Sequence, residues 1–235
     1  LHQAIRLDPL NHEAHYHLSL AYQKQGKSKE GNFAMRMFQR VNQHVDAIRR
    51  WRTVLAGDPH DARARSELGR IYARVGLQGL ASEEFLHSLA VEPADATTWH
   101  SLGNVYLRLQ RLDRAVDAFE HALNLNPNEQ ISWRDLGSAY FTKGDLDQAR
   151  RAFARALELG ADDADTYHGL GGTELRSGNA EVAVEHFRAA LRVDPDFALA
   201  HYGLGMAYQE LADSVRAKQE LHTFRHLQEA EHDHP

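Results

Sequence analysis

Apolar residues along the chain fall at helical spacing rather than in alternation. Leu102 and Tyr106, then Ala115 and Phe119, lie four residues apart, with polar residues between, so each pair shares one face of a helix. The pattern recurs at a fixed step. Trp99-His100-Ser101-Leu102-Gly103-Asn104-Val105-Tyr106 is followed 34 residues on by Trp133-Arg134-Asp135-Leu136-Gly137-Ser138-Ala139-Tyr140. One step further, Tyr167, Leu170, Gly171 and Glu174 hold the same places, and then His201, Leu204, Gly205 and Tyr208. One step back are Arg65, Leu68, Gly69 and Tyr72. The second half of each unit keeps phase too, with Ala81 and Phe85, Ala115 and Phe119, Ala149 and Phe153, Ala183 and Phe187. Each unit therefore reads as two helices with one apolar seam. Gly76, Gly144 and Gly178 suit the left-handed residue that ends a first helix. Pro59, Pro93, Pro127 and Pro195 stop the second helix, and Ala161 is the exception. Asn11, Asp61, Asp95 and Asp163 stand where the next helix needs an N-cap.

This spacing resembles the tetratricopeptide-repeat (TPR) family, whose pattern is W-x2-L-G-x2-Y, A-x3-F and a closing P over 34 residues. Units 62–95, 96–129, 130–163, 164–197 and 198–231 follow it, and a degenerate unit, 12–45, is recognised by Leu18, Tyr22 and Gly26. The resemblance implies an all-α fold, a right-handed α-solenoid of antiparallel helix pairs with its first helices lining a concave side.

The phase slips between residues 12 and 62. Two units need 68 residues and 50 are present, a shortfall of roughly one helix. Residues 46–59 read as a second helix without a first. Residues 28–43 fit either role, and a gapless likeness between 2–43 and 188–229 favours the second helix of unit 12–45. The expected organisation is 1–43 as the end of one array and 44–235 as a second, with a kink or a change in stacking near Asn42–Val45; the alternative is one continuous solenoid with a parity fault. The pattern opens inside a helix at Leu1, and its apolar end, Leu1-Ala4-Leu7, offers a route to self-association.

Composition narrows the function. There is no cysteine, so disulfides, thiolate metal sites and cysteine nucleophiles are excluded. The net charge of -6 argues against nucleic acid as the main partner, and no run of about 18 apolar residues exists for a membrane span. His12-Glu13-Ala14-His15 misses the four-residue histidine spacing of a zinc helix. His222 and His226 have that spacing but no evident third ligand, and His232 and His234 fall in a polar tail. Gly169-Leu170-Gly171-Gly172 lies inside a first helix and is no phosphate loop. Without a Walker lysine, a G-x-S-x-G elbow or a buried carboxylate pair, no enzymatic activity, cofactor or metal is expected.

The candidate site is the concave lining. Its second, fifth, ninth, twelfth and thirteenth places hold six arginines against two acids, Asp165 and Glu210. We expect Arg70, Arg74, His100, Asn104, Leu107, Arg108, Arg134, Phe141, His168, Leu175 and Arg176 to bind a partner. Leu107, Phe141 and Leu175, 34 residues apart, would form an apolar stripe, and the arginines would grip carboxylates. The implied partner is a protein or peptide segment, acidic with apolar anchors. Neither the carboxylate-clamp pattern of some family members nor the asparagine ladder of others is matched. A second reading makes the chain an accessory or docking part of a larger enzymatic or electron-transfer complex.

Overall fold

The computed structural model describes residues 1–233, all helical in their regular parts. Fourteen helices are present among them: α1 (His2–Leu7), α2 (His12–Lys24), α3 (Ser28–Asn42), α4 (Val45–Gly57), α5 (Ala62–Val75), α6 (Gln78–Val91), α7 (Ala96–Arg108), α8 (Leu112–Leu125), α9 (Gln130–Lys143), α10 (Leu146–Glu158), α11 (Ala164–Arg176), α12 (Ala180–Val193), α13 (Ala198–Glu210) and α14 (Ser214–Asp233). His234 lies outside the described residues, and only the backbone of His232 is described. No described helix is long and apolar enough to cross a membrane. The chain divides into two compact units, 1–109 and 110–235.

Local signals set the helix ends. Asn11, Asp61, Asp95 and Asp163 accept hydrogen bonds from the free backbone N–H groups of α2, α5, α7 and α11, each cap contributing about 1 kcal/mol. Gly76 and Gly144 follow α5 and α9 at φ 94° and 95°, where a side chain would strain the backbone. The same place one or two steps along the repeat is held by Gln110 (φ 58°) and Ala212 (φ 57°), which adopt the left-handed conformation without glycine's freedom.

The core repeats with the sequence. Phe85, Phe119, Phe153 and Phe187 are at most 2% exposed, and Ala81, Ala115, Ala149 and Ala183, one turn before each, are fully buried. In the hairpins α5–α6, α9–α10 and α11–α12 the ring packs directly against the facing glycine. A Cβ on Gly69, Gly137 or Gly171 would come within 2.7–2.8 Å of it.

A second recurring contact explains the W of the repeat. The fourth side chain of a unit reaches back six residues to the carbonyl of the closing proline. Trp99 Nε1 donates to Pro93 O at 2.9 Å, Trp133 Nε1 to Pro127 O at 2.8 Å and Arg65 Nε to Pro59 O at 3.1 Å. His15 and His201 make the same contact to Pro9 and Pro195 through Nε2. Tyr167 follows Ala161 instead of a proline, and its hydroxyl bonds Asp162.

Unit 1 contains the slip in phase. α3 pairs with α2 as the second arm of a hairpin, and α4 follows after only Gln43 and His44. Two second-type helices thus run in succession. α4 packs on α5, and its Arg52 holds the Asp8 carboxylate by both oxygens, at 2.6 and 2.9 Å.

Candidate partner-binding cradles

The repeat phase places five positions of each first helix on one face, and two cavities open on those faces, one in each unit. In unit 1 a cradle of about 600 Å³ lies between α5 and α7. Arg70, Arg74, His100, Asn104 and Arg108 line it, with Ala73, Gln78, Ser101, Val105 and Phe85. In unit 2 a pocket of about 560 Å³ lies along α9, α11 and α13. Arg134, Phe141, His168, Leu175 and Arg176 line it, together with Ser138, Asp165, Gly172, Tyr202 and Met206. Leu107 is half-buried on α7 and lines neither cavity.

The cradle of unit 1 is polar. Arg70 donates to Glu67 at 2.6 Å, so its charge is met within its own helix. Arg74 and Arg108 are exposed, and no ion pair engages them among the described residues. Asn104 Nδ2 lies 2.9 Å from His100 Nε2, one turn apart on α7. No carboxylate lines this cradle.

The pocket of unit 2 is built on aromatic rings. Gly169 and Gly203, at the sixth place of their repeats, face Phe153 and Phe187 of the preceding helix so closely that a Cβ would stand 2.4 Å from each ring. Phe153 is therefore clasped between Gly137 and Gly169, and Phe187 between Gly171 and Gly203. Gly172 leaves the space above them open, since a Cβ there would meet only Phe141, at 3.4 Å. His168 sits edge-on to Phe197 and tilted over Phe187, with centroids 5.6 and 5.7 Å away. Burial pushes its imidazole below the usual histidine pKa, against the pull of Asp165, so it is neutral at pH 7.

The excess of cations expected from the inward places is smaller in the fold. Arg134 lies 3.3 Å from Asp135 and 3.6 Å from Asp163. Arg176 donates to the Phe141 carbonyl at 2.7 Å and stacks on that ring at 4.6 Å, closing the C-terminal end of α9. Counting acids only at inward places overlooked Glu67, Asp135 and Asp163, which reach the arginines from adjoining places. The glycines were also overlooked as pocket-formers. Their signal was present in the sequence as small residues at the sixth and ninth places, Gly169, Gly172 and Gly203.

Unit 1 carries another groove, of about 420 Å³, on α1, α2 and α3. It is lined by Ile5, Leu18, Tyr22, Ala34 and the 61% exposed Phe33. Of the histidines considered as ligands, His15 is buried on Pro9 and His12 stacks on Phe38, while His222 and His226 are exposed on α14. Among the described residues no group of three or more side chains could hold a metal ion.

One family profile, described as Tetratricopeptide repeat, matches residues 38–86 and 100–164, and a second, described as TPR repeat, matches 173–211. No curated protein matches the sequence. Among solved structures, MamA from Desulfovibrio magneticus RS-1 superposes with a TM-score of 0.67 at 20% identity, over 72% of this chain and 96% of that one. YrrB, described as a TPR protein with an unusual peptide-binding site, superposes at 0.63 and 22%, over 76% and 92%. PilF from Pseudomonas aeruginosa does so at 0.63 and 17%, over 89% and 88%.

Proposed function

The chain belongs to the tetratricopeptide-repeat family, and from that premise we propose that it is a non-enzymatic scaffold that holds a segment of another protein on the inward faces of its first helices. The observation that carries this reading is the lining of the two cavities, which includes Arg70, Arg74, His100, Asn104 and Arg108 in one and Arg134, Phe141, His168, Leu175 and Arg176 in the other. Paired helices bury their seam and leave the opposite face of each first helix free, and within each unit stacking places these faces side by side. The likeness in fold to YrrB, a peptide-binding TPR protein, is in keeping with such a use.

The chemistry of the two cavities divides the work. Arg74 and Arg108, exposed and without carboxylate partners, suit acidic residues of the bound segment, because a guanidinium fork meets a carboxylate through two hydrogen bonds. The ring-floored pocket of unit 2 suits apolar anchors, which carry most of the affinity in such interfaces.

A displayed library of random peptides selected on the full chain tests this. Enriched sequences are expected to combine acidic residues with at least one large apolar residue. Arg74→Glu with Arg108→Glu should weaken the acidic peptides about tenfold or more, with an unchanged circular dichroism spectrum. Enrichment without acidic residues, or equal binding by the charge-reversed chain, refutes the acidic-partner reading.

A further inference from the structure

We propose that the pocket of unit 2 receives one large apolar side chain from a segment lying along α11 with opposite charges at its two ends, a cation facing Asp165 and a carboxylate facing Arg176, and that Gly172 sets the size of the side chain admitted. The inference rests on the scaffold reading above and names the partner chemistry of that one pocket.

Three glycines line the pocket, and they do different work. Gly169 and Gly203 are pressed on Phe153 and Phe187, where a Cβ would stand 2.4 Å away, so they are packing residues. Gly172 has only the Phe141 ring near it, at a distance an added Cβ tolerates. Other repeats put larger groups at this ninth place, Arg70, Asn104 and Met206. A side chain on Gly172 would thus project into the open space without disturbing the core, and its absence is what leaves room for a guest. The lining around it, Phe141, Leu175, Met206 and a neutral His168, fits an uncharged occupant.

The rim supplies polarity. Arg134 is matched by Asp135 and Asp163 and offers little net charge. Asp165 and Arg176 are both exposed on α11, and no ion pair engages either among the described residues. Arg176 uses one N–H on the Phe141 carbonyl and keeps the rest of its fork. The two residues are eleven positions apart, about 16 Å along the helix. Gly172 lies about 10 Å from the acidic end and about 6 Å from the basic end. An extended segment advancing about 3.3 Å per residue meets these three points with its cation three residues from the apolar anchor and its carboxylate two residues beyond.

Fluorescence anisotropy on the full chain tests this with a labelled synthetic peptide whose core is lysine, two alanines, tryptophan, alanine and glutamate in that order. Saturable binding is expected, lost at least tenfold when the tryptophan is replaced by alanine. Gly172→Leu should abolish binding at an unchanged melting temperature. Gly172→Ala, whose methyl the structure accommodates, should weaken it only a few-fold, which keeps the test sound if the leucine variant folds poorly. Asp165→Asn should make lysine-to-alanine replacement in the peptide neutral, where on the parent chain it costs several-fold. No binding to the parent chain, or equal binding by both Gly172 variants, overturns the proposal. If instead the library peptides bind and are lost only with Arg74→Glu and Arg108→Glu, the scaffold reading stands and this pocket does not belong to it.

Discussion

The cradle of unit 1 and the pocket of unit 2 occupy matching places in the repeat and differ in the balance of polar and apolar lining. Beneath both lies the same framework of a buried phenylalanine against a facing glycine, Phe85 on Gly69 and Phe153 on Gly137. Above it, unit 1 has Glu67 and Ser101 at the sixth place and Arg70 and Asn104 at the ninth. Unit 2 has Asp135, Gly169 and Gly203 at the sixth, and Ser138, Gly172 and Met206 at the ninth. Glycine at three of these six places in unit 2 leaves Phe153 and Phe187 lining its pocket beside Arg134 and Arg176, whereas Arg70, Arg74 and Arg108 line the cradle of unit 1 around the single ring of Phe85. A constant packing framework therefore leaves only a few places per repeat to decide what is recognised.

The largest effect should separate the sixth places. Gly169→Ala pushes a methyl into Phe153, which is 2% exposed and has nowhere to go, and should cost about 2 kcal/mol or more. Ser101→Ala at the same place in unit 1 should stay within about 0.5 kcal/mol. Urea denaturation of the two variants decides, and equal losses would show that the glycine clasp is not what distinguishes the units.

An intermediate effect should appear on acidification. At the eleventh place unit 1 has Tyr72, kept neutral by burial, which raises its pKa. Unit 2 keeps tyrosine there in two repeats, Tyr140 and Tyr208, but in the third has Glu174, buried and held by Arg150 and Asn179, and the Arg150 guanidinium keeps its carboxyl below the usual 4.5. A carboxylate depressed in the fold contributes stability above its unfolded value, and that stability is lost as pH falls through the folded one. His168, depressed by burial, obeys the same sign from a higher start, so its contribution declines as pH drops below 6.5. Denaturation midpoints should therefore fall in two windows. His168→Gln should shrink the upper one, to which the buried His186 also contributes, and Glu174→Gln the lower one, to which Asp8 beside Arg52 also contributes, while Tyr72→Phe leaves both unchanged. A parent-like acid profile in both glutamine variants would place the sensitivity elsewhere.

The smallest effect should be common to both units. Trp99→Phe and Trp133→Phe each remove one N–H donor from a proline carbonyl and should cost a similar amount, about 1 kcal/mol. Tyr167→Phe, where no proline precedes, should cost less. A large difference between the two tryptophans would mean that the framework is not equivalent in the two units.

Much of this was legible in the chain. The 34-residue step, the caps at Asn11, Asp61, Asp95 and Asp163, and the alternation of helices are local, and each leaves its mark within one or two turns. Helical phase showed which places of each first helix share a face, and the family resemblance supplied the expectation that this face lines the groove. Two features were not legible. One is the division at 109/110, which is a matter of how contacts are distributed, whereas the break of phase near 43 is a matter of spacing. The other is the pairing of charges between helices, since Arg134 meets Asp163 from the next repeat's cap and Arg150 crosses to Glu174 on α11.

By itself, the sequence determined a helical repeat, its beat and which residues of each first helix share a face, because period and capping are read along a single helix. Only the tertiary structure decided which inward charges are already matched and where the rings come through, because those depend on side chains from different helices meeting at a crossing. Spacing along the chain encodes where a residue points, but not what arrives opposite it.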